Sequence, residues 1–97
     1  MKRKAALVID LKITLNDSGI IQAVVWELPV PLSGSRHRYK YRLYFGRDGA
    51  CLVRYDNEQG KGDHHHIAGV EQPYNFTDIP TLLSDFRQSI RDTGTNV

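Results

Sequence analysis

The chain has 97 residues, 40% of them apolar and 25% charged, with a formal net charge of +2. That is enough for one small domain spanning residues 1–97 with a modest core, and too little for a second. The run from Ala5 to Leu15 is too short and too often broken by charge to span a bilayer, and no small-residue cleavage site follows it, so a cytoplasmic protein is expected.

From Leu7 to Leu15 the residues alternate, with Leu7, Ile9, Leu11, Ile13 and Leu15 on one side, which predicts a half-buried strand. Asn16-Asp17-Ser18-Gly19 is a turn signal. Ile20 to Leu28 returns to β-branched and aromatic residues, so these two strands should form an antiparallel hairpin. Pro29 and Pro31 end it and open a surface loop to Ser35. The third strand, Arg38 to Phe45, has two chemically different faces. Tyr39, Tyr41, Leu43 and Phe45 share one parity, while Arg38, Lys40 and Arg42, continuing back to Arg36, share the other. His37, beside this stripe, reads as a surface residue. Gly46 to Gly49 is a second turn and Ala50 to Tyr55 a fourth strand. Within it the lone Cys51 alternates with Val53 and Tyr55 and reads as a buried strand residue, not a nucleophile.

Tyr55-Asp-Asn-Glu-Gln-Gly-Lys-Gly-Asp-His-His-His66 then reads as a glycine-jointed loop leading into a fifth strand around His64 to Ala68. Beyond it the period becomes helical. Ile79, Leu82, Leu83, Phe86 and Ile90 form one apolar stripe, Thr77 or Asp78 can cap the start, Pro80 suits the first turn and Gly94 the stop. The expected fold is α+β: an antiparallel, meander-like sheet of about five strands covered on one face by a C-terminal amphipathic helix.

Two features carry chemistry. Between Arg36 and Arg54 lie six basic residues (Arg36, Arg38, Lys40, Arg42, Arg47 and Arg54) against one acid, Asp48. Like charges stacked at alternate positions repel unless an anion screens them, so Arg36, Arg38, Lys40, Arg42 and Arg54 are candidate nucleic-acid contacts, although an ordinary solvated strand face has the same pattern. The second feature is the His loop. His64 or His66 would act as general base or acid on a ribose hydroxyl or leaving oxygen. Lys61 would steady the scissile phosphate, and Asp56, Glu58 or Asp63 would orient the imidazoles. Tyr55 and Tyr74 can stack a splayed base or donate a proton, although such a residue is more often a core or rim aromatic. In an extended chain His64 and His66 point one way and His65 the other. Asp56 and Asp63 are the nearby carboxylates for a metal, but no Cys pair or helical His motif accompanies them, so neither metal nor other cofactor is expected. One imidazole bonded to loop backbone is the plainer reading of the run. Gly60-Lys61-Gly62 lacks the spacing and following helix of a P-loop, which excludes an NTPase.

The ordered combination of Tyr39-Lys-Tyr-Arg-Leu-Tyr-Phe-Gly46, the Tyr55 to His66 run, Glu71-Gln-Pro-Tyr-Asn-Phe76 and a terminal helix resembles the TumE family of bacterial toxins over nearly the whole chain. The resemblance implies the toxic half of a type II toxin-antitoxin pair, with a helix-turn-helix antitoxin that neutralises it by direct contact. It carries no chemistry of its own. Two readings therefore stay open: a small metal-independent endoribonuclease, with the ribosome as one candidate site of action, and a non-enzymatic module that grips nucleic acid or protein and acts by occlusion. An antitoxin with an acidic segment would suit Arg38, Lys40 and Arg42 in either case.

Overall fold

The computed structural model describes residues 4–97. Six strands follow in chain order: β1 (Ala6–Thr14), β2 (Gly19–Glu27), β3 (Tyr39–Arg47), β4 (Ala50–Glu58), β5 (Gly62–Ile67) and β6 (Val70–Pro73), before a single helix, α1 (Ile79–Asp92). The sheet is an antiparallel meander whose spatial order is the sequence order. The α+β expectation holds, with one strand more than the pattern suggested. The short β6 pairs with β5 across the two-residue turn Ala68-Gly69, where both residues have positive φ (51° and 81°), the geometry whose twist matches a hairpin.

The expected Tyr55 to His66 loop is instead most of a hairpin. Asp56, Asn57 and Glu58 continue β4, and only Gln59 to Lys61 separate the paired Glu58 and Gly62. The polarity that suggests a loop arises because Asp56 and Glu58 point out of the helix-covered layer, while Asn57 spends its side chain on the β3 backbone.

One sheet face supplies the core. Val25, Leu43, Phe45 and Val53 are fully buried, and α1 lays Leu82, Phe86 and Ile90 over them. Each such side chain contributes about 1.5–3 kcal/mol through burial. Asp78 caps the helix by accepting a 2.7 Å hydrogen bond from the Thr81 N–H, and that bond holds its carboxyl below the usual range. The Tyr55 hydroxyl meets Ser89 Oγ at 2.6 Å, bolting α1 to β4.

Two expectations fail here. β1 is an open edge lying beyond the helix's cover, so Leu7, Val8, Leu11 and Ile13 are each at least 40% exposed and the strand is not half-buried. Cys51 is exposed because the β3–β4 register shifts after Phe45: Phe45 pairs with Val53 but Gly46 with Cys51, so Leu52 is an extra residue and the alternation is broken.

Register also opens a groove. The β3–β4 ladder ends at Arg42 and Asp56; beyond it the Asn57 side chain takes the ladder's place, accepting from the Tyr41 N–H at 3.0 Å and donating to the Tyr39 carbonyl at 2.7 Å. The two strands part around this plug. On the face away from the helix the split contributes to a groove of about 550 Å3 lined by Val24, Trp26, Lys40, Arg42, Arg54, Asp56 and Glu58 among others.

Candidate functional site

Strand parity sorts the candidate residues onto two sides of the sheet. Arg42 pairs with Asp56, Asp56 with His64, Arg54 with His66, and His66 with Glu71, so these side chains form a continuous patch on the open face. Lys40 and Arg42 border it across the groove. Tyr55, Asp63 and His65 have the opposite parity and lie on the helix side. Tyr55 is committed to Ser89. Asp63 accepts from the Tyr41 hydroxyl at 2.6 Å and from His37 Nε2 at 2.8 Å, on the far side of the sheet from His64 and His66. The sheet thus separates Asp63 from the imidazoles it was expected to orient, and puts Tyr55, a candidate base-stacking or proton-donating residue, on the opposite face from them.

His37 is not a surface residue. Its Nδ1 accepts the Tyr39 N–H at 3.1 Å, which leaves the proton on Nε2 for Asp63, and its ring packs 4.0 Å from that of Phe76. Burial and the Asp63 carboxylate push the Tyr41 phenol well above its usual range. Burial and Asp85 do the same to Tyr74, whose hydroxyl donates to Asp85 at 2.6 Å. His65 stands edge-on to Tyr55 at 5.1 Å. This side of the sheet is a packing network.

On the open face His64 is 4% and Asp56 8% exposed. The His64 Nδ1–H points to the Gly62 carbonyl at 3.2 Å, which turns Nε2 towards Asp56 Oδ1, 2.6 Å away. That approach lacks hydrogen-bond alignment, and both buried atoms are without a hydrogen-bond partner. His66 Nε2 accepts from the Arg54 guanidinium at 2.8 Å, and Arg54 Nε lies 3.3 Å from the second Asp56 oxygen. Glu71 closes the cluster. Its Oε1 is 2.8 Å from Lys61 Nζ, 3.3 Å from His66 Nε2 and 3.6 Å from His64 Nε2. The Lys61 hydrogen bond lowers the Glu71 pKa and raises that of Lys61, so both are charged at neutral pH. Glu58 is exposed, with a carboxylate oxygen within 4.8 Å of Asp56 and His64 ligand atoms.

The structure therefore brings together Asp56, His64, His66, Lys61, Arg54 and, at the margin, Glu58. Arg36 and Arg38 are exposed but precede β3, in the irregular segment before it. Glu71 is the residue that sequence reasoning passed over. Its signal was the Ala68-Gly69 dipeptide, since a two-residue turn there sets residue 66 opposite residue 71.

Among the described residues no helix is long and apolar enough to cross a membrane. The fold and patch define a small α+β protein with one packed sheet face and one open face bearing a His, carboxylate and basic cluster. The chain belongs to the Toxin TumE family, whose model matches residues 1–93. No curated protein and no solved structure matches it. Membership makes the chain the toxin component of a toxin-antitoxin system, with a cognate antitoxin as its partner.

Proposed function

We propose that this toxin acts on RNA in the cytoplasm as a small metal-independent endoribonuclease and so inhibits translation, and that its antitoxin carries a helix-turn-helix domain. The observation that carries this reading is the presence of two imidazoles of different character, 5.7 Å apart, on the same open face as a basic groove.

Cleavage needs a base for the ribose 2′-oxygen and an acid for the departing 5′-oxygen. His66 suits the first role: Arg54 donates to its Nε2, which marks that nitrogen as the unprotonated one, and the lone pair takes the 2′-proton when Arg54 turns from it to the phosphate. His64 suits the second. Its Nδ1–H is held by the Gly62 carbonyl, so Nε2, 2.6 Å from Asp56 Oδ1, is the atom that would carry and give the proton. The 2′-oxygen attacks phosphorus as His66 takes its proton; the phosphorus to 5′-oxygen bond breaks as His64 gives one. A 2′,3′-cyclic phosphate and a 5′-hydroxyl result. Arg54 and Lys61 offset the charge on the equatorial oxygens, and Lys40 and Arg42 hold the flanking backbone. Asp56 acts as the positioning group for His64.

The test is incubation of the purified protein with total RNA and with ribosomes in EDTA, followed by analysis of product ends. Cyclic phosphate ends that disappear with His64→Ala and His66→Ala support the reading. Tight, salt-sensitive RNA binding with no new ends would favour occlusion instead.

A further inference from the structure

We propose that His64, His66 and Glu71 form a binding site for a zinc-class divalent cation, with Asp56 beside its open position. One ligand atom from each of the three residues lies within 4.8 Å of the other two. The Glu71 Oε1 separations of 3.3 and 3.6 Å from the two Nε2 atoms match the about 3.3 Å edge of a tetrahedron built on Zn–N and Zn–O bonds of about 2.0–2.1 Å.

Two observations favour a cation over a set of ion pairs. The first is His64, which is 4% exposed and whose Nε2 has no hydrogen-bond partner although Asp56 Oδ1 is only 2.6 Å away. This nitrogen and the carboxylate oxygen, facing each other in a buried site, need positive charge between them; a proton supplies it when His64 is the acid, and a cation bound through Nε2 would take that proton's place. The second is the His64 Nδ1–H held by the Gly62 carbonyl at 3.2 Å, the outer-shell contact that fixes Nε2 as the ligating nitrogen. Imidazole with carboxylate selects zinc and its late first-row neighbours over magnesium, which prefers oxygen ligands alone.

Protein cations hold part of this site. Lys61 Nζ sits 2.8 Å from Glu71 Oε1, and Arg54 donates to His66 Nε2 at 2.8 Å. Both side chains reach solvent and can swing away, so the metal competes with them. The binding claim rests on geometry alone. Its consequence rests on the ribonuclease reading: a metal bound to both Nε2 atoms displaces the proton that His64 would give and covers the lone pair of His66, so zinc would switch cleavage off.

The experiment is calorimetric titration of the tag-free protein with Zn2+, with Co2+ as a spectroscopic stand-in and Mg2+ as comparator. One Zn2+ per chain is expected, with a tetrahedral Co2+ spectrum and no Mg2+ heat. His66→Ala and Glu71→Gln should each weaken binding about 10-fold or more. Arg54→Gln should tighten it, by removing the competitor. His65→Ala, on the opposite face, should leave it unchanged, and circular dichroism checks that each variant is folded. Absence of Zn2+ binding overturns the site. Equal loss in folded His65→Ala also overturns it, since the metal would then be held by the His run as a flexible tail. One-site binding by a protein that cleaves no RNA supports the metal site and sinks only the ribonuclease; EDTA-resistant cleavage with no Zn2+ binding does the reverse.

Discussion

Tyr55→Phe separates the two faces of the sheet by experiment. The phenol is 3% exposed, its hydroxyl lies 2.6 Å from Ser89 Oγ, and the Asp85 carbonyl is 3.4 Å away. Removing the oxygen deletes the buried hydrogen bond with Ser89, about 1 kcal/mol net, together with the long one to the Asp85 carbonyl, and leaves a 7%-exposed Ser89 to find another partner. Ser89 can turn to the carbonyl four residues back, so the full unsatisfied penalty should be avoided and the total should be about 1–2 kcal/mol. For a domain of this size each kcal/mol lowers the midpoint by about 4–8 °C, so thermal unfolding should come about 5–15 °C earlier. Urea unfolding should show the same loss with an unchanged slope. RNA cleavage measured well below the new midpoint should stay within about twofold of wild type, a difference of about 0.4 kcal/mol. A folded, equally stable Tyr55→Phe protein that no longer cleaves would refute the assignment of Tyr55 to packing, and with it the two-face description.

Other expectations follow from the same geometry. Phe45→Ala should cost about 3–5 kcal/mol in urea unfolding, because Phe45 is fully buried at the centre of the sheet-helix core. Gly46→Ala should cost about 1–3 kcal/mol: an added Cβ would meet the Tyr44 hydroxyl and, at 2.6 Å, the Ala50 backbone oxygen, which cannot step aside. The phenols of Tyr41, Tyr55 and Tyr74 are all raised by burial above the ordinary 10.0, so above pH 10 the unfolded chain loses protons that the folded one keeps, and stability should fall. Tyr41→Phe should flatten that alkaline decline in a series of melts. Asp78 behaves oppositely: its folded value is lowered from 3.8, so its capping contribution is present above that pH and vanishes on further acidification. The midpoints of wild type and Asp78→Ala should therefore converge in acid. Lys40→Glu with Arg42→Glu should weaken RNA binding and reduce its salt slope by at least about two, with a parallel loss of antitoxin affinity if both ligands use this groove.

Much of this was legible in local pattern, and the failures have identifiable causes. The faces of β3 were readable because Tyr39, Tyr41, Leu43 and Phe45 alternate strictly with Lys40, Arg42 and Tyr44 along an uninterrupted strand. The helix was readable from its stripe and cap. Cys51 was misplaced because a register shift breaks the period just beyond Phe45, and nothing within β4 announces it. β1 was misjudged because alternation reveals which side could be buried, while the reach of α1 decides whether it is. At the site, the shared direction of His64 and His66 follows from the strand period alone. Pairing decided the rest: Asp56, His64, His66 and Glu71 come from three strands, and their alignment depends on two short turns. Reading residues 55–66 as a loop concealed the parity that sends Asp63 to His37 and Tyr41 and brings Glu71 to the imidazoles in its place.

The most direct test of the account compares His64→Ala plus His66→Ala with His65→Ala in an RNA cleavage assay in EDTA, after circular dichroism shows all proteins folded. The open-face account predicts that the double variant loses cleavage by about 100-fold or more, the scale of general acid-base catalysis, while His65→Ala retains it. Cleavage that survives the double variant, or that depends on His65, would contradict it.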